Sequence, residues 1–418
     1  MHAHQKLIQL KDSLKDELLS NIVPYWLRYT IDYENGGFVG RIDNDNNIID
    51  KADKSAVLNA RILWSFSSLY NTLGDEKYLH VAERANQYIM KHFHDTQNGG
   101  FFWTLDYSGH PIDKRKHLYV QAFMLYGMSE YQKAVADSRL LQQNFDFFHL
   151  LEDRCFDNEN LGYHEVFSPD WEALKHISLG SDEQAAKFTM NSHLHLMEAY
   201  TNLFKIHPDE YLKNRLQYLV ELHIDNMYDP EITHFYSFFL EQWRPQAGEY
   251  SYGHDIEAVW LLYDAIQQLE HPELYNRIKT ITGKVADVTL EEGIDEKYGG
   301  IYNSGENGVV KDTDKQWWSQ IEGVLGFGYA LMVTGKPEYS EAINNLWKFI
   351  STNFIDRSNG EWYFKARRDG TTYQNEDKVG PWKGPYHTVR GCLVFEDIME
   401  MIFSESSDDR PLCYKQNM

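Results

Sequence analysis

Three histidines, His195, His254 and His387, stand near the start of stretches whose apolar residues fall at helical spacing. Two of them have a carboxylate three residues on, His195 with Glu198 and His254 with Glu257. A carboxylate one turn away fixes an imidazole's tautomer and raises its pKa, whereas a helix N-terminus pulls that pKa down. An imidazole held between these influences titrates near neutrality, which suits acid–base work. Asn191 and His195 are four residues apart and share a helix face. His193 and His195 are two apart, so if His195 faces a site, His193 does not.

Other helix-like stretches open in the same way, with polar or aromatic side chains that the apolar run behind them does not need. One carries Asn59 and Arg61, and the next Tyr119 and Gln121. Later stretches carry Asp255, then Trp317, Trp318, Gln320 and Glu322, and finally Trp382 ahead of His387 and Arg390. The histidine pair four residues apart that marks a zinc helix is absent, and no Cys/His metal spacing occurs. There is no phosphate-cradling or dinucleotide-binding glycine motif. The chemistry expected is therefore proton transfer without metal or cofactor.

A repeat shows what must position these residues. Asn35-Gly36-Gly37-Phe38 returns as Asn98-Gly99-Gly100-Phe101, as the weaker Asn160-Leu161-Gly162-Tyr163, as Tyr298-Gly299-Gly300-Ile301 and as Asn359-Gly360-Glu361-Trp362. A degenerate copy without glycine lies between Asp229 and Tyr236. Paired glycines make tight turns, and the aromatics after them favour a short strand. Between turns the spacing predicts two helices, for example Lys54 to Leu73 followed by Glu76 to Phe93. Further first helices are expected from near His117, Ala185, Gly253, Gln316 and Tyr386. Six such helices, apolar almost all round, pack best as the inner wall of a closed ring, an all-α (α/α)6 barrel over residues 1–418 as one catalytic domain. In that ring the three histidines occupy equivalent positions, and the six polar starts converge on one funnel.

Composition narrows the partners. The net charge of -23, with no Lys/Arg run, argues against nucleic acid and anionic membranes. Aromatics make up 15% of the chain, more than a core needs, and flat rings in a wet groove suit a neutral sugar. Cys155, Cys392 and Cys413 are odd in number and widely spaced, which argues against a disulfide framework. Residues Met1 to Leu10 lack an apolar signal core, and no stretch has the length of a membrane span. A cytoplasmic monomer acting on a small sugar is expected.

The motifs together resemble the N-acylglucosamine 2-epimerase superfamily, and most closely its cellobiose 2-epimerase branch. The resemblance runs from Trp26 to about Met401. It rests on Lys54-Ser55 through Asn59-Ala60-Arg61, on Met190 through Tyr200, and on Ser251-Tyr252-Gly253-His254-Asp255-Ile256-Glu257-Ala258. Trp317-Trp318-Ser319-Gln320-Ile321-Glu322 and Pro381-Trp382-Lys383-Gly384-Pro385-Tyr386-His387 complete it. Ser319 stands where the family commonly has Pro. The resemblance implies an (α/α)6 barrel and a metal-free, nucleotide-free epimerisation at C2 of the reducing-end glucose or mannose of a β-1,4-linked disaccharide. It gives catalytic weight to Arg61, His195, His254 and His387, and supporting or sugar-stacking roles to Tyr119, Asn191, Glu257, Trp318 and Trp382. Trp317 and Glu322 join that substrate-binding set from their place at the funnel. His254 and His387 are then expected to be the acid–base pair, with Glu257 tuning His254 and His195 holding the oxygens at C1 and C2. An aldose–ketose isomerase acting on mannose would use the same residues. A glycoside hydrolase would need two carboxylates flanking the bond, and a sugar-binding module would need no histidine pair.

Overall fold

The computed structural model describes residues 2–174, 186–246 and 248–404. Its helices are α1 (His2–Glu17), α2 (Val23–Tyr29), α3 (Ala56–Leu73), α4 (Glu76–Tyr88), α5 (Leu118–Val135), α6 (Ser138–Cys155) and α7 (Met190–Ile206). They continue as α8 (Glu210–Leu222), α9 (Tyr252–Ile266), α10 (Pro272–Val288), α11 (Trp317–Thr334), α12 (Pro337–Asn353) and α13 (Tyr386–Ser404). Helices α3, α5, α7, α9, α11 and α13 each pack on the next, and α13 packs back on α3, so the inner ring closes. Helices α4, α6, α8, α10 and α12 lie outside it, each against the inner helix before it. The sixth outer position is filled by α1, which packs on α13 and α12. The sixth pair is thus assembled from the two ends of the chain, whereas the other five are sequential hairpins. The predicted helix start near Ala185 lies outside the described residues, and α7 begins at Met190. Cys413 also lies outside them.

Inner and outer helices differ as their places require. Nearly every residue of α5 from Leu118 to Gln132 is buried, whereas α6 buries only one face, including Phe147, Phe148 and Leu151. The outer helices α4, α6, α8 and α10 start on side chains that accept a first-turn N–H, namely Asp75, Asp137, Asp209 and His271. Gly74 and Gly335 end α3 and α11 in the left-handed conformation, with φ 71° and 72°.

The turns between repeats share an anchor. In each, an aspartate accepts two backbone N–H groups of the turn: Asp32 from Glu34 and Asn35, Asp95 from Gln97 and Asn98, and Asp356 from Ser358 and Asn359. Asp157, Asp229 and Asp295 do the same. The other carboxylate oxygen takes a lysine from the strand that opens the next repeat: Lys54 on Asp32 and Lys116 on Asp95, both at 2.8 Å, and Lys315 on Asp295 at 3.1 Å. Lys378 fills this role for Asp356 at 2.6 Å and Lys187 for Asp157 at 3.2 Å. In the degenerate fourth copy the Tyr236 hydroxyl donates to Asp229 at 2.7 Å instead. Where glycine is missing, Leu161, Thr233 and Glu361 themselves take positive φ (53°, 64° and 62°), so the turn geometry outlasts its glycines.

Candidate active site

The starts of the inner helices surround a cavity of about 320 Å³. Arg61, Tyr119, Asn191, His195, His254, Glu257, Trp317, Trp318, Trp382 and His387 all line it, joined by Gln316 and Phe364, which sequence reasoning did not single out. Phe364 could have been flagged, because it lies two residues beyond the turn aromatic Trp362. Glu322 is corrected: it does not line the cavity but stands behind His387, where its Oε1 accepts from His387 Nδ1 at 2.7 Å. It also accepts from Trp260 Nε1 at 3.0 Å and Arg390 Nη2 at 2.6 Å.

The histidines do not occupy equivalent helix positions. His387 follows the first residue of α13, His254 is the third residue of α9, and His195 is the sixth of α7. They nevertheless meet, since all three line the same cavity. At the fourth position, facing away, are Gln121, His193, Asp255 and Gln320. Gln121 and Gln320 each bond both the N–H and the C=O of the aromatic or aliphatic residue closing the preceding turn, Phe101 and Ile301. His193 accepts from the Tyr163 N–H at 3.1 Å, with its Nδ1 2.7 Å from the Thr189 carbonyl. Asp255 accepts from the Phe235 N–H and bonds His234 Nδ1 at 2.7 Å. These four serve the fold, as the spacing of His193 and His195 requires.

His195 Nδ1 lies 2.9 Å from Glu198 Oε2. A carboxylate can only accept, so Nδ1 carries a proton, and in the neutral imidazole Nε2 then keeps its lone pair. His387 is held as the same tautomer by Glu322. His254 differs from the expectation. Glu257 is not its partner but accepts from Arg390 Nη2 at 2.5 Å. His254 instead packs against Trp318, ring centroids 4.8 Å apart, and its own backbone N–H is capped by Ser251. Burial, reinforced by the neighbouring His195, lowers the His254 pKa to about 3. His387 is lowered as well, first by burial and then by the positive charges of Arg61 and Arg390. Both are therefore neutral bases at neutral pH rather than groups balanced near 7.

Trp318 separates the two: its ring centre is 4.8 Å from His254 and 5.4 Å from His387. Gly253 makes room for it, since a Cβ there would fall 2.7 Å from Trp318 Cη2. Trp317 is buried, tilted against Phe364 at 4.8 Å with Lys383 over its ring. Of the tryptophan pair, Trp318 therefore offers the more open face. Across the cavity Arg61 donates to the Trp382 carbonyl at 2.7 Å and to the Tyr119 hydroxyl at 2.8 Å. Burial raises the Tyr119 pKa to about 12, against Arg61, so its hydroxyl stays a donor. Asn191 Oδ1 and Glu257 Oε2 are buried without a hydrogen-bond partner among the described residues. Burial and the adjacent Glu322, against Arg390, raise the Glu257 pKa to about 7, so at neutral pH it can give or take a hydrogen bond.

Beneath the cavity Arg390 ties the wall together. Its guanidinium bonds Glu198, Tyr386, Glu257 and Glu322. Burial pushes Glu198 up, but Arg390 and His195 outweigh it and bring its pKa to about 2. Glu257, Glu322 and His387 bring potential metal-ligand atoms within 4.8 Å of one another. Arg390 donates to both of those carboxylates, so the cation their charge calls for is a guanidinium.

The N-acylglucosamine 2-epimerase (GlcNAc 2-epimerase) family model matches residues 36–391. The cellobiose 2-epimerase of Bacteroides fragilis is 36% identical over 384 residues, covering 92% of this chain and 98% of that protein. The solved structure of cellobiose 2-epimerase from Bacillus thermoamylovorans B4167 superposes with a TM-score of 0.89 at 34% identity, over 94% of this chain and 99% of that one. A D-mannose isomerase of Marinomonas mediterranea is more distant, at 24% identity over 85% of this chain and 90% of that protein. No described helix is long and apolar enough to cross a membrane.

Proposed function

The chain belongs to the N-acylglucosamine 2-epimerase family, and from that premise we propose that it inverts C2 of the reducing-end glucose or mannose of a β-1,4-linked disaccharide such as cellobiose, lactose or mannobiose. The observation that carries the reading is the pair of neutral imidazoles, His254 and His387, flanking the Trp318 ring in one cavity with Arg61 and His195. The sugar ring first opens as a proton leaves the anomeric hydroxyl and one reaches the ring oxygen. One imidazole then removes the C2 proton. The C–H electron pair becomes the C1=C2 bond, and the carbonyl electrons move to O1, giving a cis-enediolate. Arg61, Tyr119 and Asn191 can donate where that charge develops, and preorganised donors there lower the barrier, while His195, bonded to Glu198 through Nδ1, accepts at Nε2 from a sugar hydroxyl at C1 or C2. After rotation within the site, the proton held by the imidazolium so formed, passed to the second imidazole or returned directly, is delivered to the opposite face of C2 as the O1 electrons re-form the C1 carbonyl, which completes the inversion and leaves both imidazoles neutral. Trp318, with Trp382 nearby, supplies the flat surface for the sugar.

The residues named supply the whole proton inventory, so turnover requires no metal or nucleotide, and activity is expected to survive EDTA. Loss of activity on chelation, restored by a divalent ion, would contradict this. Incubation with cellobiose, lactose, mannobiose and free mannose in deuterated water, followed by product NMR, tests the reading. Deuterium at C2 of an epimeric aldose is expected. A ketose labelled at C1 as the main product would assign the chain to isomerisation instead.

A further inference from the structure

We propose that Arg390 is a positioning residue for this reaction: its guanidinium is the shared counter-ion that fixes Glu198 and Glu322 and, through them, holds His195 and His387 by Nδ1 so that each presents Nε2 to the sugar. The inference rests on the epimerase reading for its kinetic part but not for its spectroscopic part. Arg390 is wholly buried on α13 and is not among the residues lining the sugar cavity. One guanidinium nitrogen bonds Glu198 on α7 and the Tyr386 hydroxyl, and the other reaches Glu257 on α9 at 2.5 Å and Glu322 on α11 at 2.6 Å. The Tyr386 hydroxyl itself donates to Glu198, at 2.6 and 2.7 Å from its two oxygens. Its plane packs 4.2 Å from the Tyr386 ring and 4.6 Å from Trp260. Three carboxylates from three helices thus share one cation, and two of them are the carboxylates that hold catalytic imidazoles.

Geometry makes this more than charge neutralisation. A fork of fixed N–H directions can serve carboxylates on opposite sides at once, whereas an ammonium reaches them one at a time. Without the fork, Glu198 keeps only Tyr386 and His195 as partners and Glu322 only Trp260 and His387, so each carboxylate is less firmly oriented and either imidazole can turn its Nδ1 away. The groups facing His387 are Glu322 of α11, Arg61 of α3, His195 of α7, His254 of α9, and Arg390 and Tyr386 of its own helix. Those facing His195 are Glu198, Tyr119 and Phe123 of α5, His254, Glu257, Tyr386 and His387. Removing one cation from this set raises the proton affinity of every group in it.

The test uses Arg390→Gln and Arg390→Lys in the full chain. For Arg390→Gln the acid limb of kcat/KM should move up by on the order of one pH unit, with kcat down on the order of 10²-fold and KM within about threefold. For Arg390→Lys the acid limb should stay while kcat still falls at least about tenfold, because charge is kept and the fork is lost. Imidazole 15N spectra, with His387 identified by His387→Asn, should show the Nδ1–H tautomer in the parent and its loss in Arg390→Gln, with no substrate present. If Arg390→Gln does not fold, the same spectra and kinetics of Arg390→Lys decide the matter. An unmoved acid limb and parental tautomer in Arg390→Gln, or parental kcat and tautomer in Arg390→Lys, would overturn the proposal. If the parent epimerises none of the sugars, the functional reading fails, and the tautomer spectra still judge Arg390.

Discussion

Two sets of buried polar side chains ride on the same inner helices, one at the fourth position and one around the cavity, and they behave in opposite ways. Gln121, His193, Asp255 and Gln320 are completed by the backbone of the turn beside them. Among the described residues, Arg61 Nε, Asn191 Oδ1 and Glu257 Oε2 have no hydrogen-bond partner, and His387 is bonded through Nδ1, which leaves Nε2 on the other side of the ring. A buried polar atom without a partner is costly, and a fold tolerates it where a substrate completes the bond. The difference separates residues that hold the ring from residues that act in it, although both are buried and both are polar.

The sharpest break between the sets should come from the turn anchors. Lys116 is fully buried on Asp95, so Lys116→Met leaves a buried carboxylate unpaired and should cost about 3–5 kcal/mol of stability. Denaturant unfolding reads that loss, and kcat per folded molecule should stay near the parent's. A large loss of kcat with unchanged stability would erase the distinction. Arg61→Met should do the reverse. It should lose on the order of 10²-fold or more in kcat, or about 3 kcal/mol of transition-state stabilisation, with a melting temperature close to the parent's.

Trp318→Ala should raise KM for a disaccharide about tenfold, equivalent to about 1.4 kcal/mol of lost stacking and contact. Trp317→Ala should act mainly on stability, since its ring is buried against Phe364. Unchanged KM in both the Trp318→Ala and Trp382→Ala variants would remove these rings from the sugar site.

The smallest effect concerns pH. His193 is held at about 3 and His223 at about 4, chiefly by burial, against the ordinary value of 6.5. Both stay neutral in the fold while the unfolded chain takes up protons. Their contribution to stability is therefore complete above about 6.5 and is lost as the pH falls toward the folded values. Unfolding free energy should drop between pH of about 7 and about 5, and His193→Gln should flatten that slope. An equal slope in the variant would show that the titration lies elsewhere.

Much of the ring was legible because its turns are written locally. Gly36-Gly37 and its copies announce a period, and the apolar runs after Lys54, His117 and Gln316 announce inner helices. The anchoring aspartates were equally visible, three residues before Asn35, Asn98 and Asn359, but glycine drew attention from them. What stayed hidden depends on closure of the ring. Glu322 and His387 lie 65 residues apart and meet across α11 and α13. Glu257, adjacent to His254 by spacing alone, turns to Arg390 because a buried carboxylate seeks its cation. The pairing of α1 with α13 has no local signature, since it joins the chain's two ends.

The central claim is that two imidazoles, His254 and His387, exchange protons with C2. It is tested most directly by wash-in of solvent deuterium at C2 of cellobiose, followed by NMR in the parent and in His254→Asn, His387→Asn and His195→Asn. The parent should label C2 in step with epimerisation. His254→Asn and His387→Asn should each lose on the order of 10²- to 10⁴-fold in kcat. His195→Asn should turn over slowly while still labelling every epimer it forms. Turnover within tenfold of the parent in either the His254 or the His387 variant would contradict the account, and the proton transfer would then belong to His195.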